Sequence, residues 1–461
     1  MWCCCALALL AFQGGEEPKP RPELPPAVKP VVALARAGPA EFFAATILKL
    51  VEGGKIDNAE LRTQLLDEAF STAVNAHEPV RLVGIPGTPP DTRAYYRSRA
   101  GELKLDAISL QSAVVKLLLT FDASHARQLF ERLQTPQIEA RPCTDPLVAD
   151  ASTYYESAAA IAQAAFNATE KEKEAHFQFL QRILGGVSSP SALAEFLSAL
   201  EGVGLSPTQR QLIMGAVAAR MEALSADYRP FAISVESVQK NLEQLEARVR
   251  AEGRDTAVLA RAFRAYLVNQ LSSPRCDEDL GPAAQAVTWF NTKFRGSLAA
   301  IEVKEMQPAS RKGALVAAAY FESTDAKRIS VALNTLRYGP NGPRSDEERA
   351  SGEWRGMLAD LLRDVSAWAA EGSATDYFHQ KAAVLRTLLE ITPAGSDRLG
   401  VVKMCAEFLA SSAMERDSPA EWLWQVRSLA EGAGVDRESL LEAFRESGDA
   451  GLGLFAALGL G

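Results

Sequence analysis

The feature that most constrains the fold is a helical spacing of apolar residues that continues through nearly the whole chain from Val31 onward. Apolar residues recur three and four positions apart, as at Ile47, Leu48 and Val51, and the pattern then stops at Gly53. Residues with this period lie on one face of an α-helix, and glycine commonly follows the last turn. The same pattern predicts helices at Asn58–Ala76, Ala107–Phe121, Ser191–Leu200, Pro207–Leu224, Ala226–Glu252, Ala257–Leu271, Glu353–Ala370, Asp376–Leu389, Asp397–Ser411, Pro419–Ala430 and Arg437–Phe444.

The spacing of these helices predicts how they pack. Most connections are about two to eight residues long, the length that joins antiparallel neighbours. Helix pairs recur roughly every 35 to 45 residues, as in stacked helical arrays, although no repeat signature returns at fixed offsets. One alternating run, Val80–Ile85, predicts either a short extended segment or one arm of a hairpin. We therefore predict an all-α fold with almost no β-structure, an irregular stack of antiparallel helix pairs that is α-solenoid-like or α/α-toroid-like.

A chain of 461 residues exceeds the size at which one compact core keeps growing, so several domains or an elongated array are expected. We divide it into a signal-like apolar segment at 1–15, a proline-rich tether at 16–30, helical regions at 31–140, 141–275 and 276–450, and a glycine-rich tail at 451–461. Hydrophobic residues make up 47% and charged residues 23% of the chain, which is ordinary globular composition.

The N-terminus indicates export. Residues 1–12 form a short apolar stretch with the length of a signal-peptide core. No Lys or Arg precedes it and no small-x-small cleavage site ends it, which a start further upstream would explain. A lipoprotein signal fits less well, because Cys3, Cys4 and Cys5 precede the apolar run. We expect a periplasmic or secreted protein, and the alternatives are a cytosolic protein or one whose uncleaved N-terminus is retained at the membrane.

The net charge and the hydropathy of the chain limit the classes of partner that it is expected to bind. The formal net charge is −9, and no concentrated basic stripe occurs, so we predict no nucleic-acid binding. After the first dozen residues no apolar run is long enough to cross a bilayer, so no membrane span is expected in the mature chain. The partner expected of such an array is a protein or peptide, while the oligomeric state is not readable from the sequence.

Three cysteines lie beyond the N-terminal segment. Cys143 and Cys276 lie in polar loops beside prolines, whereas Cys405 lies in an apolar helix. In an oxidising compartment this pattern favours a Cys143–Cys276 disulfide with Cys405 free. The alternative is three unrelated thiols, since the bond depends on export and on a distance that sequence does not give.

No constellation of residues carries a reaction by itself. The four histidines stand far apart in the sequence: His77, His125, His176 and His379. No pair of Cys or His residues has the spacing of a zinc site. We therefore predict no metal, no cofactor and no catalytic residue. The acidic run Asp277–Asp279 lacks the glycine and the final glutamate of a calcium loop, and we interpret it as a solvated corner that caps the next helix.

Aromatic residues supply the only candidate binding surface. Trp422 and Trp424 are two positions apart on a predicted helix and therefore point in different directions. We expect at least one of them to be exposed and to act as a binding hot spot. The alternative is that both pack between helices, which is the commoner use of aromatic side chains.

Three functional hypotheses remain. The first is a protein-interaction scaffold outside the cytoplasm, because stacked helices build long binding surfaces. The second is an exported hydrolase with a pair of carboxylic acids in a cleft of a helical toroid. The third is an envelope-associated structural protein held by its N-terminus. The sequence does not decide whether the chain is an enzyme.

Overall fold

The computed structural model describes residues 23–85, 88, 92–138, 140–277, 281–308, 311–314, 323–370, 374–412 and 418–458. These residues form an all-α structure, as predicted. Its helices are α1 (Lys29–Ala37), α2 (Ala40–Glu52), α3 (Ala59–Ala73), α4 (Arg93–Gly101), α5 (Ala107–Leu118), α6 (Ala123–Phe130), α7 (Ser152–Ala164), α8 (Ala168–Glu172), α9 (Ala175–Gly185), α10 (Pro190–Leu200), α11 (Pro207–Ala223), α12 (Tyr228–Ala251), α13 (Ala257–Ser272), α14 (Gly281–Lys293), α15 (Thr324–Arg337), α16 (Asp346–Arg349), α17 (Gly352–Ala367), α18 (Ala374–Ile391), α19 (Ser396–Ser411), α20 (Pro419–Gly432), α21 (Arg437–Glu446) and α22 (Ala450–Leu458). Single 3₁₀ turns occur at Val303–Met306 and Gly434–Asp436.

Short strands connect some of the helices. They are β1 (Leu82–Gly84), β2 (Leu147–Ala149), β3 (Arg275–Asp277), β4 (Arg311–Ala314), β5 (Tyr338–Gly339) and β6 (Gly342–Pro343). The alternating run at Val80–Ile85 contains β1, which pairs antiparallel with β2, in register from Leu82 with Ala149 to Gly84 with Leu147. The partner strand lies more than 60 residues away, so the run is not an arm of a local hairpin.

Side-chain caps set many of the helix starts. Asp122 accepts a hydrogen bond from the His125 amide at 2.9 Å and so caps the start of α6. At α11, Ser206 caps the amide of Gln209 and the Gln209 side chain returns to the Ser206 amide, with Pro207 in the first turn. Each such cap satisfies amide groups that a helix leaves without an internal partner. These local signals explain why the predicted and observed starts agree closely.

The helix pairs stack in layers of similar length. Hydrogen bonds from layer to layer join Ser157 to the Ser112 carbonyl, Asn241 to Ser198 and Arg210 to Glu252, at separations of 45, 43 and 42 residues. Separations of this size match the predicted recurrence of helix pairs. Buried apolar side chains from Val28 to Phe455 belong to one contiguous core, so the layers share a single interior along the described chain.

The last helices return to the first. Helix α22 packs against α1 and α2, and α20 packs against α4. The expectation of a glycine-rich tail at 451–461 is therefore wrong for residues 451–458, which belong to helix α22 with Leu452, Leu454 and Phe455 buried. Burial of these three side chains offsets the cost of glycine in a helix, about 1 kcal/mol per residue. Residues 1–15 and 16–22 of the predicted signal and tether, and 459–461 of the tail, lie outside the described residues.

A disulfide links two helix-to-helix corners. Cys143 and Cys276 are bonded, with a Cα–Cα distance of 5.6 Å, and Cys405 is a free, buried thiol, as the sequence favoured. Arg229 lies between the two corners and is 6% exposed. Its guanidinium donates to the Pro142 carbonyl at 3.2 Å and contacts the Cys276 sulfur at 3.4 Å. The bond is thus part of a buried corner that joins the second predicted helical region to the third.

In the ranges given above, no helix combines the length and the apolar character that a bilayer span requires. The apolar segment at the N-terminus lies outside these ranges.

We expect the Cys143→Ser, Cys276→Ser double variant to lower the free energy of unfolding, because the bond closes a loop of 133 residues. The chain-entropy model gives about 5 kcal/mol for such a loop, and native strain reduces this value. Urea denaturation of the wild-type and variant proteins measures the difference. Treatment of the wild-type protein with dithiothreitol should reproduce the loss, and an unchanged transition in both experiments would show that the bond does not form in solution.

Candidate functional site

The candidate site lies where the last helices meet the first. It is built by the segment before β1, by α4, and by α18 and α20. Helix α20 begins at Pro419 after the capping residue Ser418, whose side chain accepts a hydrogen bond from the Glu421 amide at 3.1 Å. This local start places the Glu421 carboxylate at the junction between the two ends of the chain.

Glu78 joins the N-terminal helices to the start of α20. Its Oε1 accepts hydrogen bonds from the Ser418 hydroxyl at 2.6 Å and from the Ala420 amide at 2.8 Å. The carboxyl group therefore satisfies helix-start donors that lie some 340 residues further along the chain. Burial raises the pKa of Glu78 to about 7; the bonds from Ser418 and Ala420 oppose the rise, and the neighbouring carboxylates Glu421 and Glu41 add to it.

His379 lies at the centre of a buried polar network. Its Nε2 is 2.5 Å from Glu421 Oε2, and its Nδ1 is 2.8 Å from the side-chain nitrogen of Gln425. The Gln425 amide donates to Nδ1, so the ring proton lies on Nε2 and is donated to Glu421. The imidazole is fully buried and stacks on Tyr96 of α4, with ring centroids 4.4 Å apart.

This network has the composition of a catalytic dyad but not its geometry. A histidine that acts as a general base needs one ring nitrogen turned toward the proton that it removes. Both nitrogens of His379 are occupied, one by Glu421 and the other by Gln425, and the ring has no exposed surface. The arrangement therefore fastens α18 to α20 and, through the stacked Tyr96, fastens both to α4.

A small cleft with a volume of about 60 Å³ opens beside this network. Its lining includes three carboxylic acids, Glu78, Asp106 and Glu421, and two arginines, Arg81 and Arg97. Arg97 Nε is 3.6 Å from Glu421 Oε1, and Arg81 forms an ion pair with Asp150 at 3.0 Å. The cleft is therefore lined by several charged side chains, and the pKa of one of them, Glu78, is raised to about 7.

Trp422 and Trp424 lie in the same helix but do not form a surface. They are 1% and 8% exposed, so the expectation that at least one is exposed is wrong. The Trp422 ring lies 6.0 Å from that of Phe42, and the Trp424 ring lies 5.6 Å from that of Tyr96. Helix α20 packs between α18, α4 and α21, so two of its faces are covered and residues two apart are both buried.

The histidines occupy separate positions in the structure. His125 pairs with Asp67 at 2.6 Å near the surface, and His379 has the buried network described above. In the parts of the chain that are described, no group of three or more His, Cys, Asp or Glu side chains is arranged to hold a metal ion. Glu278 and Asp279 of the acidic run lie outside those parts.

The network of His379, Glu421 and Glu78 is not evident from the sequence. A local signal does exist, because Ser418 and Glu421 have the spacing of a helix capping box. That signal predicts that the glutamate bonds back to the amide of Ser418, whereas the structure turns its carboxylate toward His379. Glu78 carries no pattern that relates it to α20, since the contact arises only when the chain ends meet.

Comparison with protein-family models, with curated proteins and with solved structures finds no match to this chain. A functional assignment therefore rests on the residues and their geometry. Fold alone does not supply one, since helical arrays serve many activities.

We expect His379→Ala to lower the free energy of unfolding by about 3 kcal/mol or more, because it leaves the buried Glu421 carboxylate without its partner. The matched control is His125→Ala, which removes a histidine at the same distance from a carboxylate but in a partly exposed position. That variant should lose at most about 1 kcal/mol. Chemical denaturation measures the free energy of unfolding of both variants. Equal losses would contradict the claim that the buried pair of His379 and Glu421 stabilises the fold more than an exposed pair does.

We expect stability to depend on pH through Glu78. Between the ordinary value of 4.5 and about 7, the folded chain holds a proton that the unfolded chain has released, so stability falls as pH rises through this window. Glu78→Gln keeps an acceptor for Ser418 but removes the charge. The stability of the variant relative to the wild-type protein should rise by up to about 3 kcal/mol between pH 5 and pH 8.

Urea denaturation at intervals across this pH range measures the effect. The control is Glu68→Gln, which removes an exposed carboxylate that pairs with Arg36. A difference between Glu78→Gln and the wild-type protein that stays constant from pH 5 to pH 8 would contradict a proton held on Glu78 near neutrality.

Proposed function

We propose that the protein is a protein-interaction scaffold that acts outside the cytoplasm. The observation that carries the proposal is a closed helical frame, in which the layers of helix pairs from α1 to α22 share one core and the last helices pack on the first. A frame of this kind holds its outer helix faces in fixed positions, which suits recognition of a protein or peptide with little loss of entropy on binding.

Export has separate support. The Cys143–Cys276 bond is of a kind that forms and persists in oxidising compartments and is rare in reducing ones. The apolar N-terminal segment, with the length of a signal-peptide core, points the same way.

The second candidate is a hydrolase, and one observation favours it. Glu78 and Glu421 line the same cleft, and the pKa of Glu78 is raised to about 7. Glycoside hydrolysis uses two carboxylic acids, one of which has a raised pKa. Against this, the Glu421 carboxylate already binds His379 and lies near Arg97, so attack on a substrate would require it to leave a buried partner.

Crosslinking in the source cell separates the two functions. The protein is tagged at its C-terminus, crosslinked and purified, and both the bait and the captured proteins are identified by mass spectrometry. We expect one partner in stoichiometric amount, whose purified form binds the purified chain saturably, and a bait that lacks its first residues and carries the Cys143–Cys276 link.

The control is the His379→Ala protein, studied at a temperature at which it remains folded, beside His125→Ala. Loss of the partner with the first variant alone would tie recognition to the closed frame. A bait that returns without a partner overturns the scaffold proposal. Hydrolysis of a glycan that stops on Glu78→Gln would then establish the second candidate.

A further inference from the structure

A second cleft, which we call the Arg261 cleft, has a volume of about 430 Å³. It lies where the end of α12, the start of α13 and the end of α14 meet. Its apolar lining consists of Ala257, Ala260, Phe294 and Leu298. Sites that hold small molecules have volumes of about 300–1,000 Å³, and a few polar groups in their walls fix the ligand. The Arg261 cleft is therefore large enough for a small ligand with an apolar part.

Glu246 lies in the wall of this cleft with its charge neutralised. Its side chain is 7% exposed, and its Oε2 accepts a hydrogen bond from Lys293 Nζ at 2.7 Å. Its Oε1 forms an ion pair with Arg250 and accepts a hydrogen bond from the Thr256 hydroxyl at 3.4 Å. One carboxylate thus has two cationic partners, so the three charged groups together keep one positive charge in excess.

Two arginines that line the cleft keep hydrogen-bond donors for a ligand. Arg250 binds Glu246 through Nη2, and its side chain is 64% exposed, so the other N–H groups of its guanidinium are open to solvent. Arg261 is exposed and, among the residues that the structure describes, forms no hydrogen bond or ion pair. The second acid in the lining, Asp255, accepts a hydrogen bond from the Ala257 amide at 2.9 Å, and no ion pair joins it to Arg261 in the described ranges.

The charge of the cleft indicates which ligand it favours. Three cations and two acids line it, although the chain as a whole has a net charge of −9. Lys293 is held by Glu246 and by aromatic rings, since its Nζ lies 4.7 Å from the centre of the Trp289 ring and 5.6 Å from that of Phe294. It therefore adds positive potential from a fixed position, while the arginines supply the free donors. An anion with an apolar body matches this lining.

We propose that the Arg261 cleft binds a small organic acid with an apolar body. The carboxylate accepts hydrogen bonds from the guanidinium of Arg261, whose planar set of N–H groups matches the two oxygens of a carboxylate, and Arg250 is the second donor. The apolar body of the ligand covers Phe294 and Leu298. The inference goes beyond the scaffold function and holds whether or not a protein partner binds elsewhere.

Binding of matched ligand pairs to the full chain tests the proposal. Phenylacetate is compared with phenylacetamide, and hexanoate with hexanamide, by calorimetry and ligand-observed NMR at neutral pH. Each pair has the same apolar body and differs in a carboxylate against a neutral amide. We expect the acids to bind saturably and the amides to bind at least about tenfold more weakly, since hydrogen bonds between charged groups are lost. Acetate, which lacks the apolar body, should also bind more weakly than hexanoate.

Arg261→Gln is the decisive variant, because the position is exposed and glutamine is a good helix former, so the protein should stay folded. It should weaken binding of the acids about tenfold or more and leave binding of the amides nearly unchanged. The matched control is Arg363→Gln, which removes one positive charge from an exposed position on α17, away from the cleft lining, and should leave binding unchanged. Urea denaturation checks that both variants are folded.

Three results would overturn the proposal. They are equal binding of acids and amides, binding of the acids that Arg261→Gln leaves unchanged or that Arg363→Gln weakens as much, and no saturable binding of either acid by the wild-type protein. The last result would identify Arg261 as an ordinary solvated side chain of the surface.

Discussion

The contact that the rest of the structure depends on joins His379 to Glu421 and, beside it, Glu78 to the start of α20. The Glu78 bonds connect residues some 340 positions apart, whereas the fully buried His379 imidazole joins α18 to α20. A carboxylate in such a place is tolerated only with good partners, and Glu421 has His379 and the nearby Arg97. The Glu78 bonds and the stacking of His379 on Tyr96 thus hold the last helices on the first, since separation would remove partners of buried groups and expose an apolar core to water.

The disulfide constrains a different part of the fold. It ties the corner after α6 to strand β3, within the first two-thirds of the chain, whereas the His379 network ties α18 and α20 to α4. A disulfide stabilises the fold mainly by lowering the conformational entropy of the unfolded chain. A buried polar network instead stabilises the one folded arrangement in which all its members are hydrogen-bonded. The two devices are therefore complementary: one limits how far the early layers can separate, and the other selects how the late layers dock.

The parts of this fold that depend on neighbours in sequence could be predicted, and those that depend on distant contacts could not. The helical spacing of apolar residues predicted the all-α class, and the polar loops beside prolines favoured a bond between Cys143 and Cys276. The predictions of a glycine-rich tail and of an exposed tryptophan were wrong for the same reason. Whether residues 450–458 or Trp424 face water is decided by what packs on them, and the covering helices come from the other end of the chain.

The cleft between α4 and α20 also results from the packing of the last helices on the first. The helices at the two ends of the chain meet through residues some 340 positions apart, and each side brings charged groups to the contact. The local sequence does not show which of these groups will become partners. His379, Gln425 and Glu421 satisfy one another, and Glu78 satisfies the start of α20, while Asp106 Oδ2 and Arg81 Nε are left over. Stability alone would favour apolar residues at such positions, because an unsatisfied buried atom weakens the fold. Glu78 shows the cost of this arrangement, because burial raises its pKa to about 7 although Ser418 and Ala420 both donate hydrogen bonds to it.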